Sequence, residues 1–164
     1  MKLSNINKRI RGILIALAAV VITTGFLHGC AADNDCREDL YVQMAAGFHT
    51  IVNDTVRAFT IDSLWVKGIG NDSVIYNNAK AVTSIQLPLE KLKDTTRFAI
   101  RFNNVRDTLV CVHTNMNKYV SLECGCMTTF ALDTLIFTRH KMQKAVILNK
   151  NVINKQIENV QIYF

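Results

Sequence analysis

Proline is nearly missing from this chain: Pro88 is the only one among 164 residues. Glycine is scarce as well, and after residue 30 only Gly47, Gly68, Gly70 and Gly125 remain. Those absences exclude flexible glycine-rich linkers, low-complexity tracts and the glycine loops that cradle phosphate. No apolar run reaches the roughly 20 residues that a membrane-spanning helix needs. The longest, Ile13 to Phe26, is interrupted by Thr23, Thr24 and Gly25. The motifs His-Glu-x-x-His, Gly-x-Ser-x-Gly and Cys-x-x-Cys are also absent, which removes the usual signatures of zinc proteases, serine hydrolases and thioredoxin-like enzymes. Clustered basic charge is missing too. Of the formal charge of +6, four units belong to Lys2, Lys8, Arg9 and Arg11, and the rest of the chain stands near +2. The remaining Lys and Arg are scattered, so the basic balance gives no argument for nucleic-acid binding.

What is present begins with the first 30 residues. A basic stretch, a short apolar run and the sequence Leu27-His28-Gly29-Cys30 have the pattern of a secretory signal. A cysteine directly after the small residue makes it a lipoprotein signal, because the thiol takes a diacylglycerol before cleavage. The expected organisation is a cleaved signal over 1–29, a lipidated tether over 30–38 and one domain over 39–164. Ala31 supplies no aspartate-type retention signal, which favours the outer membrane. The 135 residues from Cys30 to Phe164 are enough for a single domain with its own core.

Within that domain, Asn and Asp replace glycine and proline as punctuation, from Asn53-Asp54 through Asn115, Asn117 and Asp133 to Asn149–Asn154. Between them, short segments alternate with period two. Phe98, Ile100 and Phe102 face one way, Arg97 and Arg101 the other. Ile85, Leu87 and Leu89 alternate with Ser84, Gln86 and Pro88, and Val160, Ile162 and Phe164 with Asn159, Gln161 and Tyr163. Such alternation marks half-buried strands, and their short spacing predicts an all-β, antiparallel β-sandwich of immunoglobulin-like type. Strands are expected near 40–46, 62–67, 73–76, 84–89, 97–102, 108–114, 119–124, 128–132, 135–138, 144–148 and 159–164. Pro88 places its strand at an edge or ends it, since proline cannot donate to a ladder.

With Cys30 assigned to lipid, Cys36, Cys111, Cys124 and Cys126 remain. Export puts them in an oxidising compartment, and an even number invites two disulfides. Cys124 and Cys126 would share a face of a continuous strand and are poorly placed to bridge each other. Cys36 then pairs with one of them and Cys111 with the other. A zinc site of Cys111, Cys124, Cys126 and a histidine is disfavoured by the one-residue spacing of Cys-Gly-Cys.

Four segments carry a further signal: Leu64-Trp65-Val66-Lys67-Gly68-Ile69-Gly70, Gln86-Leu87-Pro88-Leu89, Tyr119 to Gly125, and Glu158 to Phe164. With a cysteine shortly after the lipobox, the chain resembles a family of small lipoproteins of Bacteroidota defined as a domain of unknown function. The resemblance implies an envelope location, a β-rich domain and a bridge from Cys36 to Cys124, which leaves Cys111 to Cys126. It brings no catalytic residues.

His49, His113 and His140 are read as surface or structurally satisfied histidines. Asp33-Asn34-Asp35 suits a solvated tether better than a calcium loop. Trp65 and Tyr76 are read as core aromatics, with a carbohydrate platform as the alternative. The expected role is a non-enzymatic binding or structural module, without cofactor or metal. It would be held to the membrane by its lipid and work beside an envelope protein partner. The alternative is an accessory binder of glycans or metal ions.

Overall fold

The computed structural model describes Cys36, residues 38–71 and residues 73–164. Cys30 lies outside the described residues, as do Asp33, Asn34 and Asp35. The chain divides into residues 1–35 and a compact unit, Cys36–Phe164.

Eleven strands form among the described residues, and no helix. They are β1 (Gln43–Val52), β2 (Thr55–Ala58), β3 (Leu64–Gly68), β4 (Val74–Ala79), β5 (Ser84–Pro88) and β6 (Thr95–Phe102), followed by β7 (Val105–Ser121), β8 (Gly125–Phe137), β9 (Lys144–Ile147), β10 (Asn151–Val152) and β11 (Glu158–Tyr163). Five of them make one sheet. β1 is its spine: its first half pairs with β5 and its second half with β2, both antiparallel. On its other side it pairs parallel with β11, which continues to β9. The second sheet has six strands in the order β10-β8-β7-β6-β3-β4, all antiparallel.

The two sheets bury the apolar stripes that the alternation predicted. Phe98, Ile100 and Phe102 of β6 are buried, while Arg97 and Arg101 are exposed. Ile85, Leu87 and Leu89 are buried, as are Val160 and Ile162. Across the sandwich, Phe48 and Phe164 meet Phe102 edge-on, with ring centroids 5.8 and 4.9 Å away, and Phe59 stacks on Phe164 at 5.1 Å. Offset and edge-on ring pairs of this kind add to the stabilisation from burial alone.

The sandwich was expected; its strand order differs from the four-on-three immunoglobulin arrangement, with a parallel β1–β11 pair in place of a wholly antiparallel layout. Several strand limits also differ. Asn115 and Asn117 lie inside β7 rather than in a turn, so the segment expected at 108–114 and residues 119–121 of the next are one strand, while residues 122–124, expected in a strand, form the turn to β8. Asp133 is the extra residue of a bulge, because Val112 pairs with Thr134 and His113 with Leu132. The segments expected at 128–132 and 135–138 therefore belong to β8. Gly47 does not end β1, which runs on to a hairpin with β2 through Asn53 (φ +51°) and Asp54 (φ +58°). That two-residue left-handed turn suits asparagine and aspartate, and it matches the twist of the flanking strands. β5 lies at an edge, as Pro88 required.

Polar residues on the inner face of β7 pin two of the crossings between the sheets, β8 to β9 and β5 to β6. Asp107, at one end, is buried and accepts hydrogen bonds on both oxygens. Oδ1 takes the Thr138 hydroxyl at 2.6 Å, the His140 N–H at 2.9 Å and His140 Nδ1 at 3.0 Å. Oδ2 takes the N–H groups of Lys141 and Met142 at 2.7 and 3.0 Å. Together these bonds hold the loop from β8 to β9. At the other end, Asn115 Nδ2 donates to the carbonyls of Lys91 and Lys93 at 2.9 and 2.7 Å and fixes the loop from β5 to β6.

Candidate functional site

Gly47 lies under a groove on the outer face of the five-stranded sheet. Outward positions on β1 are Gln43, Ala45, Gly47 and His49, so its middle carries almost no side-chain bulk. A groove of about 330 Å³ forms over Ala45 and Gly47, walled by Ser84 and Gln86 of β5 and by Gln156 and Glu158. A bulge places Glu158 there, since Ala45 pairs with Glu158 and Ala46 with Val160. Asn159, the extra residue, turns inward. It accepts from the Ala45 N–H at 3.1 Å and donates to the carbonyls of Asn149 and Asn151.

At one end of the groove His49 Nε2 lies 2.7 Å from Glu158 Oε1. A carboxylate only accepts, so the Nε2 proton donates to it and Nδ1 is left as the other ring position. A Cβ at residue 47 would overlap Glu158 Oε1 and lie 2.7 Å from His49 Nε2. Glycine is therefore required for the pair to close over the strand. Tyr163 flanks the imidazole at 5.8 Å, and the Lys144 ammonium sits over the Tyr163 ring. Among the described residues, His49 thus contacts a carboxylate and a ring, with no hydroxyl or thiol in hydrogen-bond reach of it. The groove surface is mostly apolar, over Ala45, Gly47 and Ala58, with Ser84, Gln86, Gln156, Glu158 and His49 as its polar groups, a composition that suits a ligand oriented by a few hydrogen bonds. It lacks the nucleophile–base contact of covalent catalysis.

The residues singled out by sequence fall elsewhere. Cys36 and Cys124 form a disulfide, with Cα atoms 4.7 Å apart and 88 residues of chain between them. The expected bridge between Cys111 and Cys126 is a correction: both are free thiols. Cys111 pairs with Leu135, whereas Cys126 pairs with Tyr119, eight residues further along β7. That is about 27 Å of strand, far beyond the roughly 7 Å between Cα atoms that a disulfide spans. Cys111 faces the core against Met44, sulfur to sulfur 3.8 Å. Its burial pushes the thiol up to about 12. Cys126 is exposed. The same separation scatters the thiols considered for zinc.

Trp65 and Tyr76 do not form a platform. Tyr76 is opposite the buried Val66 and shares its inward face, where its hydroxyl accepts from the Gln86 N–H at 2.9 Å. Trp65 points outward, capped by the Arg101 guanidinium at 5.4 Å. His113 is buried and fully used. Thr96 Oγ1 accepts from the Glu90 N–H and meets His113 Nε2 at 2.8 Å, while His113 Nδ1 meets Asn115 Oδ1 at 2.8 Å. Asn115 Oδ1 can only accept, so the proton sits on Nδ1 and the Thr96 hydroxyl donates to Nε2. His140 is the surface end of the Asp107 cluster.

Sequence reasoning missed the groove. Its signal was a glycine in the middle of an alternating strand, which marks close approach of another group. The partner, Glu158, is 109 residues away from His49. Residues 63–164 match the model of a family of unknown function, DUF6452. The chain belongs to this family. The matched segment covers β3 to β11 and contains Glu158 and Cys124; β1, with Gly47 and His49, precedes it, as does Cys36. Neither a curated protein nor a solved structure matches the chain.

Proposed function

We propose that this DUF6452 member is a lipid-anchored module of the bacterial cell envelope, an outer-membrane lipoprotein of Bacteroidota. It binds a polar ligand or partner in the groove over Gly47 and performs no catalysis. The observation that carries the reading is the Cys36–Cys124 disulfide, six residues after Cys30. A long-range bridge is the mark of an exported protein, and it fits the lipoprotein pattern that ends at Cys30.

The anchor is tested by Cys30→Ser in cells fed labelled palmitate. The wild type should incorporate label and partition with membranes, and the variant should do neither. Equal membrane retention of both proteins without label would contradict the anchor. The groove is tested by crosslinking on intact cells with the wild type and with Gly47→Val, which fills the floor. Loss of a crosslinked species in Gly47→Val, with folding intact, supports the groove. An unchanged pattern rejects it as the binding face.

A further inference from the structure

The β7–β8 hairpin ends in a tip with large apolar side chains in the open. Leu122 is 89% exposed and Tyr119 60%. The tip is well fixed. Leu122, Glu123 and Cys124 form a three-residue turn between Ser121 and Gly125, with Gly125 at φ +70°. The Cys124 N–H donates to Ser121 Oγ at 3.1 Å. Leu122 and Glu123 are both exposed at the apex of the turn.

The disulfide decides what this tip meets. Cys124 is tied to Cys36, and only six residues separate Cys36 from Cys30. Fully extended, that segment reaches about 20 Å. With the 4.7 Å between the bridged Cα atoms added, and if Cys30 carries lipid, Cys124 cannot stand further than about 25 Å from the bilayer. Resting on the lipid-anchor reading, we infer that the hairpin tip docks into the interfacial layer of the membrane that holds Cys30. Leu122 enters the acyl boundary and Tyr119 lies at headgroup level. Tyrosine suits that boundary, with an apolar ring and a wet hydroxyl. Exposed Lys118 on the same hairpin can reach lipid phosphates. A stable protein partner would need about 800 Å² of complementary surface. A two- or three-residue tip does not supply it, while a lipid surface needs no matching shape. Lipid and tip together would give the sandwich a fixed stance, since a single tether point leaves it free to swing.

The test uses the lipidated full-length protein in phosphatidylcholine vesicles, with or without bromine on the acyl chains. The wild type has one indole, Trp65, which pairs through Arg101 to Arg106, thirteen residues along β7 from Tyr119. That places it about 40 Å from the tip, so bromine should leave its emission unchanged. Leu122→Trp adds an indole at the tip. Brominated chains should quench the added emission by roughly half or more, as shallow insertion requires. If the variant floats with the vesicles and bromine changes nothing, the docking is wrong and the anchor stands. If neither protein floats, the anchor reading fails and the docking fails with it.

Discussion

Asp107 holds five donors with two oxygens, and that makes it sensitive to proton and to substitution. Burial alone would raise its pKa. The Thr138 hydroxyl and the N–H groups of Met142, His140 and Lys141 outweigh that and bring it down from 3.8 to about 2. A depressed carboxylate stabilises the fold above its unfolded pKa. That contribution, about 2 kcal/mol, is lost as pH falls from about 4 through 2. Asp107→Asn places an amide against backbone donors and should cost about 2–3 kcal/mol at neutral pH. Urea melts from pH 2 to 7 should show the acid limb flattened in the variant; an equally steep limb in both proteins would contradict the assignment. At Gly47 the atoms in the way of a Cβ are the ends of the Glu158 and His49 side chains, which can swing aside. Gly47→Ala should therefore part the pair at a cost of about 1 kcal/mol or less, and Glu158→Gln, which keeps the size and loses only a part-exposed charge, should cost about as little; a loss of about 3 kcal/mol for either variant in urea melts would contradict the groove geometry. Neither residue was legible as a site in sequence. Asp107 reads as one more polar residue before an apolar strand, and its five donors come from positions 138–142. The pairing of His49 with Glu158 arises only when β11 lies alongside β1.

At the scale of the strand, alternation carried most of the information. β5, β6 and β11 put inward the residues that their period-two pattern named, because one face of each is wet and the other faces the second sheet. Phe98→Ala or Phe102→Ala should therefore destabilise by about 3–5 kcal/mol. Arg101→Ala loses only its stacking on Trp65, about 0.5–1 kcal/mol. Similar losses for the Phe and Arg variants in chemical denaturation would contradict the burial pattern. Strand ends were harder to read, and the reason is physical. Asparagine and aspartate serve both as turn formers and as donors or acceptors within strands. Asn53-Asp54 turns the chain, but Asn115 ties down a neighbouring loop and Asp133 fills a bulge. Local sequence does not separate those roles, because the deciding partner comes from another strand. The parallel pairing of β1 with β11 was invisible for the same reason: it joins the two ends of the domain.

For the molecule as a whole, the cysteines set the frame. The resemblance implied the Cys36–Cys124 bridge, while the supposed second pair failed because its members lie at different heights of one hairpin. Loop-entropy arguments give a bridge across 88 residues about 4–5 kcal/mol. Cys36→Ser should lower stability by up to that amount and leave Cys124 reactive. The free thiols differ as well. A thiol reagent should modify Cys126 in the native protein and reach Cys111 only after unfolding. Prompt labelling of Cys111 in the native state would contradict its place in the core.

One chain should hold both a lipid at Cys30 and a bridge from Cys36 to Cys124. The direct measurement is the intact mass of the protein extracted from membranes with detergent, before and after reduction. The predicted species begins at Cys30, carries a diacylglycerol with or without a further acyl chain, and gains two hydrogens on reduction. A chain that still begins at Met1 and carries no lipid, or whose mass does not change on reduction, would contradict it.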